Sequence, residues 1–357
     1  MDYVLAILAG LILLISLLNF LSIRTPRESS EITEKISVIV PLRNESENIV
    51  ELIKTLRNQK HLPNVEFLLL DDNSEDDTLA LLHHQCQGLD KFRVLSGSHL
   101  PQGWIGKTWA LQQLLQASSG LIIVSIDADV RLEPDAINRA ITLLKNSQLD
   151  FISPYPRQLA ITWSEKLIQP LLQWSWMSTV ILRIAERSSS SSMVVANGQF
   201  FVVRKAALER VHGYEPASNK VLDDVFLARA LVKSGSHGCV ANGAAIASTR
   251  MYSSWEEIQA GYGKSLHAAF GTAYGCVVAI SFLFITGIAP LIAGITGSNI
   301  GWYAFYAVTL TRTMSAIKVG KNGLDAFLHP LSSALLIYLI IYSWVMRGRV
   351  QWKGRTI

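Results

Sequence analysis

Residues 3–22, YVLAILAGLILLISLLNFLS, carry no charge. About 20 such residues, coiled as a helix, match the hydrocarbon thickness of a bilayer. A cleaved signal peptide would want a basic start and a small-residue cleavage site, whereas the charge ahead of this run is Asp2. Arg24 and Arg27 follow it, so the positive-inside rule places the next segment in the cytoplasm and makes 1–24 an uncleaved membrane anchor. Charged residues make up 17% of the 357, below the roughly one quarter usual in soluble domains, so more of the chain should contact lipid. Apolar segments at about 272–296, 299–317 and 327–346 define a C-terminal transmembrane region, 270–347, followed by a basic tail at 348–357. The middle segment contains Arg312. If the last segment spans, the KVGKNG loop and the basic tail lie on opposite sides, so one of the three is expected to be interfacial or re-entrant. A net charge of +4 is too small to argue for nucleic acid. Basic residues beside apolar segments instead fit a membrane surface.

Between the apolar ends the pattern changes. ISVIVPL (36–42), VEFLLLDD (65–72), FRVLSG (92–97) and LIIVSIDAD (121–129) are strand-like, while ENIVELIKTLRNQ and KTWALQQLLQAS have helical spacing. Strand–helix–strand units predict an α/β domain with a mostly parallel sheet covered by helices on both faces. Ligands in such sheets bind beyond the carboxyl ends of the strands, where Asp71, Asp72, Asp127 and Asp129 fall. Cys86, Cys239 and Cys276 lack metal-ligand or disulfide spacing and suit packing in a reducing compartment.

Five stretches carry candidate chemistry. In VIVPLRNESENI, Arg43, Asn44 and Glu45 form a loop before a helix; either Asn44 or Ser46 caps that helix, or the loop lines a nucleotide pocket. In LLLDDNSEDDT, Asp71 and Asp72 end a buried strand and can accept hydrogen bonds from a base N–H or a ribose hydroxyl. Asp76 and Asp77 read as charges at a helix start. Asp127-x-Asp129 offers hard oxygen ligands of the kind Mg²⁺ or Mn²⁺ prefers, or a solvated turn. In GWIGKTWAL, Lys107 can reach a phosphate as a point charge, though Walker spacing is absent. VVANGQFFVVRKAAL reads as a strand with a polar, glycine-containing lead-in at Asn197 and Gly198, and VLDDVFLARAL as a helix with Asp223 and Asp224 in its first turn. A helix dipole there favours the ionised carboxylate, so a base would need desolvation or a neighbouring acid to raise its pKa.

In this order the pieces VPLRNE, LLDDNSEDDT, GKTWAL, DAD, NGQFFVVRKAAL…GYE and LDDVFLARAL resemble glycosyltransferase family 2, the inverting enzymes of the Rossmann-like GT-A fold. The similarity covers about 36–265 and implies a catalytic domain at 35–265. It implies that Pro41, Arg43, Glu45 and Asp71 or Asp72 hold the nucleotide and that Lys107, Asn197 and Gly198 contact substrate. It also implies that Asp127 and Asp129 bind the metal-diphosphate, with Asp129 as the direct ligand. The catalytic base maps onto Asp224, with Asp223 standing where the family has Glu, which leaves the choice between the two open. Processive members carry Gln-x-x-Arg-Trp after the base helix; here Gln259 is followed by Ala-Gly-Tyr-Gly-Lys, so a single transfer is implied. Lys264 and His267 are placed either at the diphosphate or at a surface.

The N-terminal anchor, GW-x-GK loop, NGQ and WKGR tail resemble bacterial membrane glycosyltransferases of carotenoid and hopanoid pathways. That resemblance implies a nucleotide-sugar donor such as UDP-hexose and a lipid or isoprenoid acceptor delivered from the membrane. A polyprenyl-phosphate or glycerolipid acceptor is the alternative. Trp163, Trp174 and Trp176 serve either as interfacial anchors or as packing, and the serine run 188–192 reads as a loop able to act as a lid. The expected location is the cell membrane, multi-pass, with the catalytic domain facing the cytoplasm. A non-catalytic sugar-nucleotide-binding membrane protein would be expected to lose the metal acids or the base, and a transporter would need more spans.

Overall fold

The computed structural model describes residues 2–347, 351–352 and 355–356. The chain forms two compact units: Arg24–Arg157 with Ile184–Thr249, and Met1–Ile23 with Gln158–Arg183 and Arg250–Ile357. Residues 158–183 and 250–265, which fall inside the 35–265 span by sequence, belong to the second, helical unit.

The strands are β1 Ile36–Leu42, β2 Val65–Asp71, β3 Phe92–Ser96, β4 Ile122–Ile126, β5 Val130–Leu132, β6 Phe151–Tyr155, β7 Arg157–Gln158, β8 Phe200–Arg204, β9 Gly238–Asn242 and β10 Ala247–Thr249. Seven of them form one sheet in the order β3-β2-β1-β4-β8-β6-β9. Its pairs are parallel except those of β8, which runs antiparallel to both β4 and β6. Alternation along the strands divides the core. Val38, Val40, Val124 and Ile126 pack against helices Ser46–Arg57 and Ala136–Asn146 through Ile49, Ile53, Ile137 and Ile141. On the opposite face Ile39, Leu68 and Ile123 meet helices Gly106–Ala117 and Asp223–Lys233 through Leu111, Leu114, Leu227 and Leu231.

The reversal of β8 positions the site. Its register sets Phe200 opposite Ile126, so the NGQ lead-in returns to the carboxyl end of β4, where Asp127 N donates to Gln199 O at 3.0 Å. A parallel strand would deliver that lead-in to the other end of the sheet.

In the helical unit, three helices among the described residues are long and apolar enough to cross a membrane: Asp2–Ser22, Ala273–Ile295 and Leu324–Val345. Helix Asn299–Lys318, the middle of the three C-terminal segments read from sequence, is not among them; Thr309, Thr311 and Arg312 are buried within the unit. Asn19 fastens the first helix by donating to Met177 O (2.8 Å) and Val180 O (2.6 Å) and accepting from Leu182 N (3.0 Å). Trp174 is a packing residue: fully buried, its Nε1 donates to Thr311 Oγ1 at 2.8 Å. Trp163 is exposed and stacks on Trp255, 5.9 Å between ring centroids. Within the basic tail 348–357, residues 351–352 and 355–356 form a short antiparallel pair, and the rest lies outside the described residues.

The joint between β1 and β4 has no room to spare. A methyl group on Gly120 would collide with the Ser37 backbone nitrogen and lie 2.7 Å from Ser37 Oγ. Gly120→Ala should therefore destabilise the sheet unit by about 1–3 kcal/mol or more, read as a thermal unfolding midpoint lowered by several degrees. An unchanged midpoint would contradict this close approach.

Candidate active site at the carboxyl ends of the strands

The loops after β1 and β2 are tied to each other. Arg43, 6% exposed, donates through Nη1 to Asp72 O and Asn73 O, both at 2.7 Å, and through Nη2 to Glu75 Oε1 at 3.0 Å. Asn44 does not cap the following helix. Its φ is +50°, its backbone N donates to Ser74 Oγ (2.9 Å), and its Oδ1 accepts from Glu75 N (2.8 Å). Glu45 stands at the helix start without a side-chain cap, its N donating to Thr78 Oγ1 (2.8 Å), while Ser46 N donates to Asp76 Oδ2 (3.1 Å). Asp76 also accepts from Thr78 N at 3.0 Å, in keeping with a charge at a helix start. Pro41 lies within β1, opposite Leu70 of β2. Asp71 and Asp72 are 4% and 2% exposed at the end of β2. Asp71 Oδ2 accepts from Ser74 N at 3.2 Å, whereas its buried Oδ1 has no protein partner among the described residues. A buried carboxylate oxygen left this way has room in its hydrogen bonding for a donor from water or a ligand.

A second group gathers at the end of β4. Lys107, one residue into helix Gly106–Ala117, places Nζ 2.8 Å from Asp127 Oδ1 and 3.8 Å from Asp223 Oδ2. Asp223 and Asp224 open helix Asp223–Lys233, as the sequence implied. Asp224 Oδ2 accepts from Gly198 N at 2.7 Å and Oδ1 from Val225 N at 2.8 Å. Gly198 is closely packed: a Cβ there would sit 3.2 Å from Asp224 Cβ, tighter than usual, and 3.6 Å from Lys107 Nζ, an ordinary contact. Asn197 shapes the approach to β8. Its N donates to Ser153 Oγ (2.8 Å) and its Oδ1 accepts from Gln199 N (2.9 Å). Asp129 is held by Thr249 of β10, whose Oγ1 donates to Oδ2 at 2.7 Å. Thr249 was not singled out from the sequence, where a threonine about 120 residues downstream carries no signal of this contact.

Burial, reinforced by the Asp223 charge, pushes the Asp224 carboxyl up to about 7, against the lowering effect of the Lys107 charge and of its two backbone donors. Burial likewise raises Asp223, with Lys107 opposing. Burial and the charge of Asp127 raise Asp129 to about 6. Burial alone would lower the Lys107 ammonium, but Asp127 and Asp223 outweigh it and hold the cation. The two effects that a base at a helix start would need, desolvation and a neighbouring acid, are thus both present at Asp224.

Among the described residues, no three His, Cys, Asp or Glu side chains converge as a metal-binding group. Asp127 and Asp129 supply hard carboxylate oxygens, which fits Mg²⁺ or Mn²⁺ completed by substrate phosphate and water rather than by an all-protein cage. Gln259, Lys264 and His267 fall in the helical unit. There Gln259 Nε2 donates to Tyr338 Oη (2.7 Å), and His267 N donates to Ser343 Oγ (2.9 Å).

Residues 37–211 match the family model described as Glycosyl transferase family 2. A beta-monoglucosyldiacylglycerol synthase of Nostoc sp. is 30% identical over 54% of this chain and 40% of its own length, so the chain spans about two fifths of that relative. The 4,4'-diaponeurosporenoate glycosyltransferase of Staphylococcus haemolyticus is 23% identical, over 92% of this chain and 90% of its own. Among solved structures, the mannosyltransferase PcManGT from Pyrobaculum calidifontis, in complex with GDP-Man and Mn²⁺, superposes with a TM-score of 0.61 at 17% identity, covering 97% of this chain and 98% of that one. A mostly parallel sheet with one reversed strand, acids at the strand ends and this family match together identify the chain as carrying a family 2 glycosyltransferase domain of GT-A fold.

Proposed function

We propose that the protein transfers one sugar from a nucleotide-sugar donor, a UDP-hexose in the first instance, to a lipid or isoprenoid hydroxyl with inversion at the anomeric carbon. The observation that carries this reading is the convergence of Asp127, Asp223, Asp224, Lys107 and the Gly198 amide at the carboxyl ends of the strands. An acceptor hydroxyl is a weak nucleophile near neutral pH and needs a positioned group to take its proton. Asp224 has the raised pKa for that task and is oriented by Gly198 and Val225. Asp223 keeps its partner's pKa high by charge. Asp71 and Asp72 take the base or ribose, with Pro41 and Glu45 beside them, and Arg43 acts by holding the 72–75 loop in shape.

Lys107 neutralises carboxylates in the free protein and passes its charge to diphosphate oxygens when the donor binds. With Mg²⁺ or Mn²⁺ held by Asp129 and Asp127, the diphosphate would become a better leaving group. Attack from the face opposite that leaving group inverts the anomeric carbon without a covalent enzyme intermediate. Three candidate spans, with Arg24 and Arg27 after the first, support a multi-pass protein of the cell membrane with its sheet unit in the cytoplasm.

The carotenoid-related relative, similar along most of both chains, favours a second reading in which the acceptor is a lipid carboxylate. A carboxylate has no proton to lose at neutral pH, so the two readings part at Asp224.

Three outcomes follow for purified protein in membranes. Asp224→Asn should lower transfer to a hydroxyl by about 10²–10⁴-fold while donor binding, read by calorimetry, stays near wild type; full activity would refute the base role and favour the carboxylate acceptor. Because the base works deprotonated and its pKa is raised to about 7, kcat/KM should fall as pH drops below about 7 and level off above it; a flat profile between about pH 5 and about pH 8 would contradict it. Asp129→Ala should abolish the dependence of donor binding on Mn²⁺, and an unchanged dependence would remove Asp129 from the metal site.

A further inference from the structure

Helices Trp163–Thr179 and Asn299–Lys318 meet in the helical unit along two polar stripes. Pro170 lacks an N–H, so the Lys166 carbonyl four residues earlier loses its helical donor. Arg312, 1% exposed, reaches it: Nη2 lies 3.3 Å from Lys166 O and 3.5 Å from Leu167 O. At the other end of the contact Gln173 Nε2 donates to Ser315 O at 3.4 Å. Residues 166, 169 and 173 share one helix face, and 309, 312 and 315 share another, by their spacing of three and four. Gln169 therefore lies on the first face between the two bonded ends, and it is 1% exposed.

These side chains are not satisfied by one another. Arg312 Nε and Nη1, both amide atoms of Gln169, and the hydroxyls of Thr309 and Ser315 are buried with no protein hydrogen-bond partner among the described residues. Trp174, on the first of these helices, packs its ring edge-on against His329, 4.5 Å between centroids, and His329 Nδ1 is also buried and unpartnered. The nearest counter-charge recorded for Arg312 is Asp325 Oδ2, at 3.9 Å from Nη2 and partly exposed. A guanidinium does not lose its charge, and buried donors without acceptors are strongly disfavoured. Donors predominate here, around a fixed positive charge.

We propose that these groups form a binding site for an oxyanion carried on a lipid headgroup, with Arg312 as the principal contact and Gln169 as a second donor. The lipid is argued from place. His329 belongs to Leu324–Val345, a helix apolar enough to span, and the same helix leaves Leu331, Tyr338, Ile341 and Val345 exposed. That helix thus presents apolar surface outward and His329, one member of the polar cluster, inward. A phosphate and a carboxylate share the required chemistry, since either accepts several N–H donors at once.

The site is independent of the proposed reaction, and its test needs no sugar transfer. The full chain, purified in a neutral detergent, is titrated with phosphatidic acid, with diacylglycerol of the same chains, and with inorganic phosphate, and bound species are counted by native mass spectrometry. Phosphatidic acid should bind about tenfold or more tightly than diacylglycerol, and inorganic phosphate should neither bind comparably nor compete. Arg312→Gln should remove the preference. Gln169→Leu, close in volume and less disruptive to folding, should weaken phosphatidic acid binding with the unfolding midpoint kept, and it decides the matter if Arg312→Gln does not fold. Equal binding of the two lipids, or phosphatidic acid binding untouched by Gln169→Leu, would overturn the site. Phosphate binding as tightly as the lipid would overturn the headgroup assignment.

Discussion

The contact of Lys107 Nζ with Asp127, at 2.8 Å, and its approach to Asp223, at 3.8 Å, make it tolerable to gather several carboxylates at the edge of a buried sheet. Like charges gathered here repel, and partial burial reduces the water that would screen them. One ammonium set among them relieves part of that repulsion, and the remainder is borne by raised carboxyl pKa values at Asp129 and Asp224. In the proposed reaction, a ligand that brings negative oxygens would take over the cation. A nucleoside diphosphate is such a ligand.

The geometry beneath the charges is a matter of chain direction. The parallel strands β1, β2 and β4 deliver Arg43, Asp71 and Asp127 to one edge, and the antiparallel β8 delivers Asn197 and Gly198 to the same edge from the opposite direction. Gly198 can then donate to Asp224, which orients the carboxylate proposed as the base. Arg43 and Asn44, which by sequence belong to a loop that either starts a helix or lines a nucleotide pocket, also lace two loops together.

Much of this was legible in the residues. The apolar runs that ended in acids marked strands whose carboxyl ends gather the candidate residues, and the spacing of ENIVELIKTLR and KTWALQQLLQA marked the covering helices. The direction of β8 was not legible, because FFVVR buries equally well either way. Nor was the partnership of Asp129 with Thr249, which depends on the pairing of β5 with β10. Residues 158–183 look like part of the sheet unit by sequence order, yet Trp174 and Asn19 bind them into the helical one. Arg312 marked its segment as unusual, but its link to the carbonyl freed by Pro170 exists only once two helices cross.

The measurement that bears most directly on the proposed reaction is to incubate membranes containing the protein with a panel of labelled nucleotide sugars and divalent cation, then identify labelled lipid by mass and the new linkage by NMR. The expected result is label from one nucleotide sugar in a lipid-extractable product, with anomeric configuration opposite to that of the donor. Retained configuration, or no lipid labelled by any of the sugars, would contradict it.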